Sequence, residues 1–150
     1  MSKTKKRLGK ILKILQKRLP KGYFKPVASY STVYNLHRAC AKSCNKTYQE
    51  MLTWVEKHWK KMEKKKSGYM TTKYYQPEKN PRQRDVHNIT AYSSNPVMVA
   101  LDNIAGHTNR ELAFLMLHEY GHQVLDSLDE KKCDKFAIRW VRKLIKEGLI

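Results

Sequence analysis

The first 49 residues of this chain contain no acidic side chain; Glu50 is the first. The same stretch holds 13 Lys or Arg, so most of the formal net charge of +18 is concentrated there. A charge of this size and sign favours polyanionic partners, such as nucleic acid, anionic lipid or an acidic protein, and says nothing about fold. No apolar run approaches the length needed to span a bilayer, which excludes a transmembrane helix and points to a soluble protein. There is no internal repeat, and no low-complexity segment beyond lysine runs. Cysteine is scarce and odd in number, at Cys40, Cys44 and Cys133, which suits a reducing compartment rather than a disulfide framework. The apolar residues near the N-terminus are broken by Lys at every turn, so they form no secretory h-region. A cytoplasmic location is therefore expected, although a basic, acid-free start also has the composition of an organellar transit peptide.

A length of 150 residues suits one domain with a core of its own. The expected organisation is a basic N-terminal segment over 1–28 and a folded domain over 29–150. Leu8, Ile11, Leu12, Leu15 and Leu19 fall on one face of a helix over 7–19, which Pro20 and Gly22 end. That stripe suits docking on the domain with its lysines solvated; it also suits a helix lying on a membrane or nucleic acid. Residues 29–66 repeat apolar side chains at three- and four-residue steps from Val33 to Met62 and predict one long helix, capped by Ser29 or Ser31. Cys40 and Cys44 lie on its apolar stripe and read as core thiols, with a metal shared with His37 as the alternative. Helical periodicity is lost over 69–102. Residues 69–75, 86–92 and 97–102 are rich in aromatic and β-branched side chains and predict two or three short strands.

Thr108-Asn109-Arg110-Glu111 is a capping box, which predicts a helix from there to about Leu125. Residues 112–117 are apolar all round, so that helix is expected to be buried. Residues 126–129 break it. A last helix is predicted from about Leu128 to Glu147, with Cys133, Phe136, Ala137, Trp140, Val141, Leu144 and Ile145 as its core stripe.

The buried helix carries His118-Glu119-Tyr120-Gly121-His122. Histidines four apart lie one turn apart on one helical face and can meet one ion, and Glu119 lies beside that face as a candidate general base. Burying two histidines and a glutamate without partners would cost several kcal/mol, at about 2 kcal/mol or more per group, which a metal would offset. No histidine follows His122, which excludes every arrangement with a downstream histidine ligand. Four carboxylates do follow. Asp126 continues the same face, but its short side chain points along the axis. Asp129 sits where it can cap the next helix. Glu130 shares the face of Cys133, Asp134 and Ala137, which a hairpin return would set against the histidines. Asp134, one turn later, is placed to accept the outer N–H of a ligand histidine.

With Glu130-Lys131-Lys132-Cys133-Asp134-Lys135-Phe136-Ala137 following it, the His118–His122 motif resembles the paired motifs of the gluzincin metallopeptidases. It is most similar to the small ImmA/IrrE-type proteins and the minimal single-domain gluzincins, over roughly residues 86–145. The resemblance implies an α+β, zincin-like fold: N-terminal helices, a small twisted sheet of two or three strands, the motif helix and a C-terminal ligand helix. It implies Zn2+ as cofactor, with His118, His122 and Glu130 as metal ligands, Asp134 supporting a ligand histidine and Glu119 as the catalytic base. It also implies hydrolysis of peptide bonds in a protein or peptide substrate, held extended along an edge strand at 97–102. Cys133 stands where that pattern usually has Ala. Tyr92, Tyr120, His107 and Arg110 are candidates for stabilising the oxyanion. A second reading is a nucleic-acid-associated regulatory protein that keeps the zinc site for structure, with nucleic acid or another polyanion bound by the basic N-terminal region.

Overall fold

The computed structural model of the chain describes residues 2–64 and 90–150. Those residues form six helices and a three-stranded mixed sheet, an α+β architecture. The strand expected over 69–75 and the start of the one expected over 86–92 lie outside the described residues.

Helix α1, Lys3–Arg18, starts earlier than its apolar stripe, because the Ser2 side chain accepts the Lys5 N–H and caps it. Leu8, Ile11, Leu15 and Leu19 are buried in the main core together with residues of the two C-terminal helices. The stripe is thus covered by protein, and the lysines of α1 stay outside it.

The single long helix expected over 29–66 is instead three elements: strand β1 at Val27–Tyr30, helix α2 at Val33–Ser43 and helix α3 at Tyr48–Lys64. Thr32, rather than Ser29 or Ser31, caps α2 by accepting the Asn35 N–H at 3.1 Å. The break falls at residues 44–47. Asn45 takes a left-handed conformation there, with φ 54°, which Asn tolerates better than most residues. Thr47 and Glu50 then form a second capping box, each side chain accepting the other's backbone N–H at 3.1 Å.

Strand β2 is Ala91–Tyr92, β3 is Val97–Ala100, and the short helix α4 is Leu101–Ile104. The sheet order is β1-β3-β2, with β1 parallel and β2 antiparallel to β3. The segment expected to offer a free edge at 97–102 is therefore the central strand, paired on both sides, and from Leu101 it is helical. All four residues of β3 are buried, because helices cover both faces of the sheet. Alternate side chains point to opposite faces. Val97 and Val99 enter the core built with α1 and the C-terminal helices; Met98 and Ala100 enter a second core with α2 and α3.

Helix α5, Asn109–Val124, carries the expected capping box between Thr108 and Glu111. It is buried from Leu112 to Gly121, as an all-apolar circumference requires. Helix α6, Glu130–Lys146, is capped by Asp129, whose carboxylate accepts the N–H groups of Lys131 and Lys132. Its stripe of Cys133, Phe136, Ala137, Val141 and Leu144 is buried against α5 and α1. No helix of the described residues is long and apolar enough to cross a membrane.

Candidate metal centre

The close approach of α5 and α6 decides where the site forms. A Cβ at Gly121 would lie 3.1 Å from Cδ1 of Phe136 and 3.4 Å from Cα of Cys133. A glycine there lets the second helix come this near the turn of α5 that carries the histidines without pushing the Phe136 ring aside. The link between the helices is short because Asp126 adopts a left-handed conformation, φ 47°, and the Ser127 N–H returns to the His122 carbonyl at 3.1 Å. Asp129 N–H then donates to Ser127 Oγ, and Asp129 starts α6.

This return sets Glu130 against both histidines. Its Oε2 is 2.7 Å from His118 Nε2, and its Oε1 is 3.3 Å from His122 Nε2. Among the described residues, His118, His122 and Glu130 form the one cluster able to hold a metal ion, with their ligand atoms all within 4.8 Å of one another. The outer nitrogens are anchored. His118 Nδ1 donates to Asp134 Oδ1 at 2.7 Å, and His122 Nδ1 donates to the Ser127 carbonyl at 2.8 Å. Each ring thereby keeps its Nε2 aimed inward, at the carboxylate. Two lone-pair donors only 2.7 Å apart require a positive centre, a proton or a metal ion, to hold them there. Ligand atoms about 2.0 Å from a tetrahedral zinc ion are about 3.3 Å apart. The His122–Glu130 spacing of 3.3 Å already matches that value, and the His118–Glu130 spacing of 2.7 Å needs to open by about 0.6 Å. The donor set, two imidazoles and one carboxylate, therefore fits such an ion.

The electrostatics point the same way. His118 and Asp134 are fully buried, Glu119 and Glu130 nearly so. Burial alone would depress His118 and His122, but hydrogen bonds to Asp134 and Glu130 outweigh it at His118, and hydrogen bonds to Cys133 and Glu130 at His122. Both imidazoles are thus held well above their ordinary range. Burial pushes the Glu130 carboxyl up, and the hydrogen bonds from His118 and His122 pull it further down, to about 2. Glu119 is raised, foremost by burial, with the two histidines opposing. Three carboxyl groups packed around two imidazoles attract positive charge, and a dication supplies it without protonating either ring.

The other downstream carboxylates are elsewhere: Asp126 is exposed and Asp129 is the α6 cap. The candidates for the oxyanion are occupied or distant. Tyr120 is buried and donates its hydroxyl to the Lys25 carbonyl at 2.9 Å, and the Tyr92 hydroxyl bonds His37 Nδ1 at 2.8 Å. His107, whose carbonyl accepts from Arg7, and Arg110 sit at the N-terminal end of α5, about 12 Å along the axis from His118. His37, Cys40 and Cys44 form no metal cluster; Cys40 is buried in the second core, as a packing thiol. The Ser127 carbonyl has no signature in the sequence, because it is backbone; the approach of Cys133 to His122 follows from its place on the face of α6 that carries Glu130. Gln123 Nε2 also donates to the Ser94 carbonyl at 3.0 Å, which fastens the histidine end of α5 to the turn between β2 and β3. No protein-family model, curated protein or solved structure matches the chain.

Proposed function

We propose that this chain is a zinc-dependent metallopeptidase of the gluzincin type, with a zincin-like arrangement of α5 and α6. The observation that carries the reading is the placement of Glu130, on a second helix, across both Nε2 atoms of the α5 histidines. His118, His122 and Glu130 would hold the ion. Two nitrogens and one oxygen suit zinc, and three protein ligands suit a catalytic rather than a purely structural site. Bound there, zinc would polarise a peptide carbonyl and lower the pKa of a water molecule.

The protein's own groups do the rest. Asp134 and the Ser127 carbonyl fix both imidazoles so that each offers Nε2. Glu119 is the base: its carboxylate takes the proton of the attacking water and delivers it to the leaving amine. Burial raises its pKa, which makes the carboxylate a stronger proton acceptor. Substrate is a protein or peptide.

Glu119→Gln keeps the shape of the side chain and removes the base, so it tests the peptidase reading separately from metal binding. The variant is expected to bind zinc as the native chain does and to lose cleavage of quenched fluorescent peptides by about 100-fold or more, the usual weight of general acid–base catalysis. Native-level cleavage by that variant would show that the proposed mechanism is wrong.

A further inference from the structure

Helices α2 and α3 bury one face and turn the other to solvent. Val33, Leu36, Cys40 and Ala41 of α2 pack with Met51, Leu52 and Val55 of α3 in the second core. The outward face carries large aromatic rings. Tyr34 is 52 % exposed and Trp54 50 % exposed. These rings are ordered into pairs: Tyr34 and Tyr48 have centroids 5.1 Å apart, and Trp54 stacks on His58 at 5.6 Å with the planes 2° from parallel. Cations sit over them, with the Arg38 guanidinium 5.6 Å from the Tyr34 centroid and the Lys46 ammonium 5.0 Å from that of Trp54. Residues 33–64 hold seven Lys or Arg against three Glu, so the helix pair as a whole is cationic.

We propose that this face of α2 and α3 binds single-stranded nucleic acid, with bases stacking on Tyr34 and Trp54 and phosphates meeting Arg38, Lys42 and Lys46. A flat ring with a cation over it presents the two features a nucleotide needs, a π surface and a positive charge one bond path away. A base takes the cation's place over the ring, and the cation, on a flexible stem, moves to the neighbouring phosphate. Paired bases in a duplex are already stacked on each other, so exposed rings select single strands. An acidic protein would satisfy the lysines and leave the rings uncovered. The site is separate from the metal centre, and neither reading depends on the other.

The test is fluorescence anisotropy with the full chain and labelled strands of about 20 nucleotides, longer than one binding site. The strands are poly-dT, poly-rU and an abasic strand of the same charge, with phosphatidylserine-containing vesicles as a fourth arm. The base-bearing strands are expected to bind well above the abasic strand, and the dT-to-rU ratio to tell which sugar is preferred. Tyr34→Ala and Trp54→Ala should each weaken binding by roughly 5- to 150-fold, without changing the slope of log K against log salt. Lys42→Gln and Lys46→Gln should each flatten that slope by about 0.7. Trp54→Phe keeps a π face and should recover most of the affinity, and circular dichroism confirms that each variant is folded. Equal binding of the abasic strand, or native affinity in both alanine variants, would reduce the face to a general polyanion contact and overturn the proposal. Binding to vesicles but to no strand would overturn it in favour of a membrane surface.

Discussion

Replacing Asp134 by Asn keeps the outline of the side chain and removes its charge, so it isolates what the carboxylate does for His118. The pair is 2.7 Å long, and both side chains are at most 1 % exposed. Hydrogen bonds to charged groups contribute about 1.5–3 kcal/mol and neutral ones about 0.5–1.5 kcal/mol. The substitution should therefore weaken the hold on the ring by about 1–2 kcal/mol. An Asn oxygen can still accept from Nδ1, so His118 keeps the tautomer that offers Nε2. The loss should appear as a zinc affinity lower by roughly 5- to 30-fold, toward the low end of what outer partners of metal ligands contribute. Asp134→Ala should do worse by about a further 1–3 kcal/mol, because it leaves a buried donor unpaired. The assay is competition for zinc against a chelator of known affinity, with melting curves in parallel to separate folding from binding. Unchanged zinc affinity in a folded Asp134→Asn variant would refute the reasoning.

Two further predictions follow from the packing. Gly121→Ala gains about 1 kcal/mol of helix propensity. It also sets a methyl 3.1 Å from Phe136, whose ring is buried and backed by Tyr23 at 5.9 Å, and overpacking of that kind costs about 1–3 kcal/mol. The expected net result is a Tm lower by roughly 3 °C together with weaker metal binding, as α6 moves away from the histidines; a more stable variant with native zinc affinity would contradict it. Thiol labelling near pH 8, followed by mass spectrometry, should modify Cys44 quickly and leave Cys40 and Cys133 unmodified in the folded chain. Cys133 is fully buried, and burial, with Cys44 beside it, pushes the Cys40 thiol up to about 12, so its thiolate fraction is about 1 in 10,000. Three equally fast thiols would show that the core is not packed as described.

The features readable in the sequence were those set by local chemistry. The box at Thr108–Glu111 started α5, the all-apolar run after it required burial, and the stripe from Cys133 to Leu144 gave α6 its inward face. Placing Glu130 on the face of Cys133 and Asp134 used the same periodicity, and all three are buried beside α5. The break between α2 and α3 was missed because apolar spacing stays near helical from Cys40 across to Met51; the Asn45 turn and the Thr47–Glu50 box were the local signals for it. The position of β3 in the middle of the sheet was also missed. Its unbroken Val-Met-Val-Ala run reads as a buried strand, and both partners precede it: β2 by 6 to 8 positions across a short turn, and β1 by 70, a parallel pairing that no short window contains. The anchor of His122 is close in sequence but is a backbone carbonyl, that of Ser127, brought round by the left-handed turn at Asp126, so no side-chain pattern marks it.

Zinc titration of the purified native chain, run beside Glu130→Gln, tests the metal centre most directly. The native chain should bind one ion per molecule, and a folded Glu130→Gln variant should bind it at least about 100-fold more weakly, a larger loss than an outer partner gives. A native chain that takes up no stoichiometric ion, or a Glu130→Gln variant with native affinity, would contradict the assignment of His118, His122 and Glu130 as a metal site.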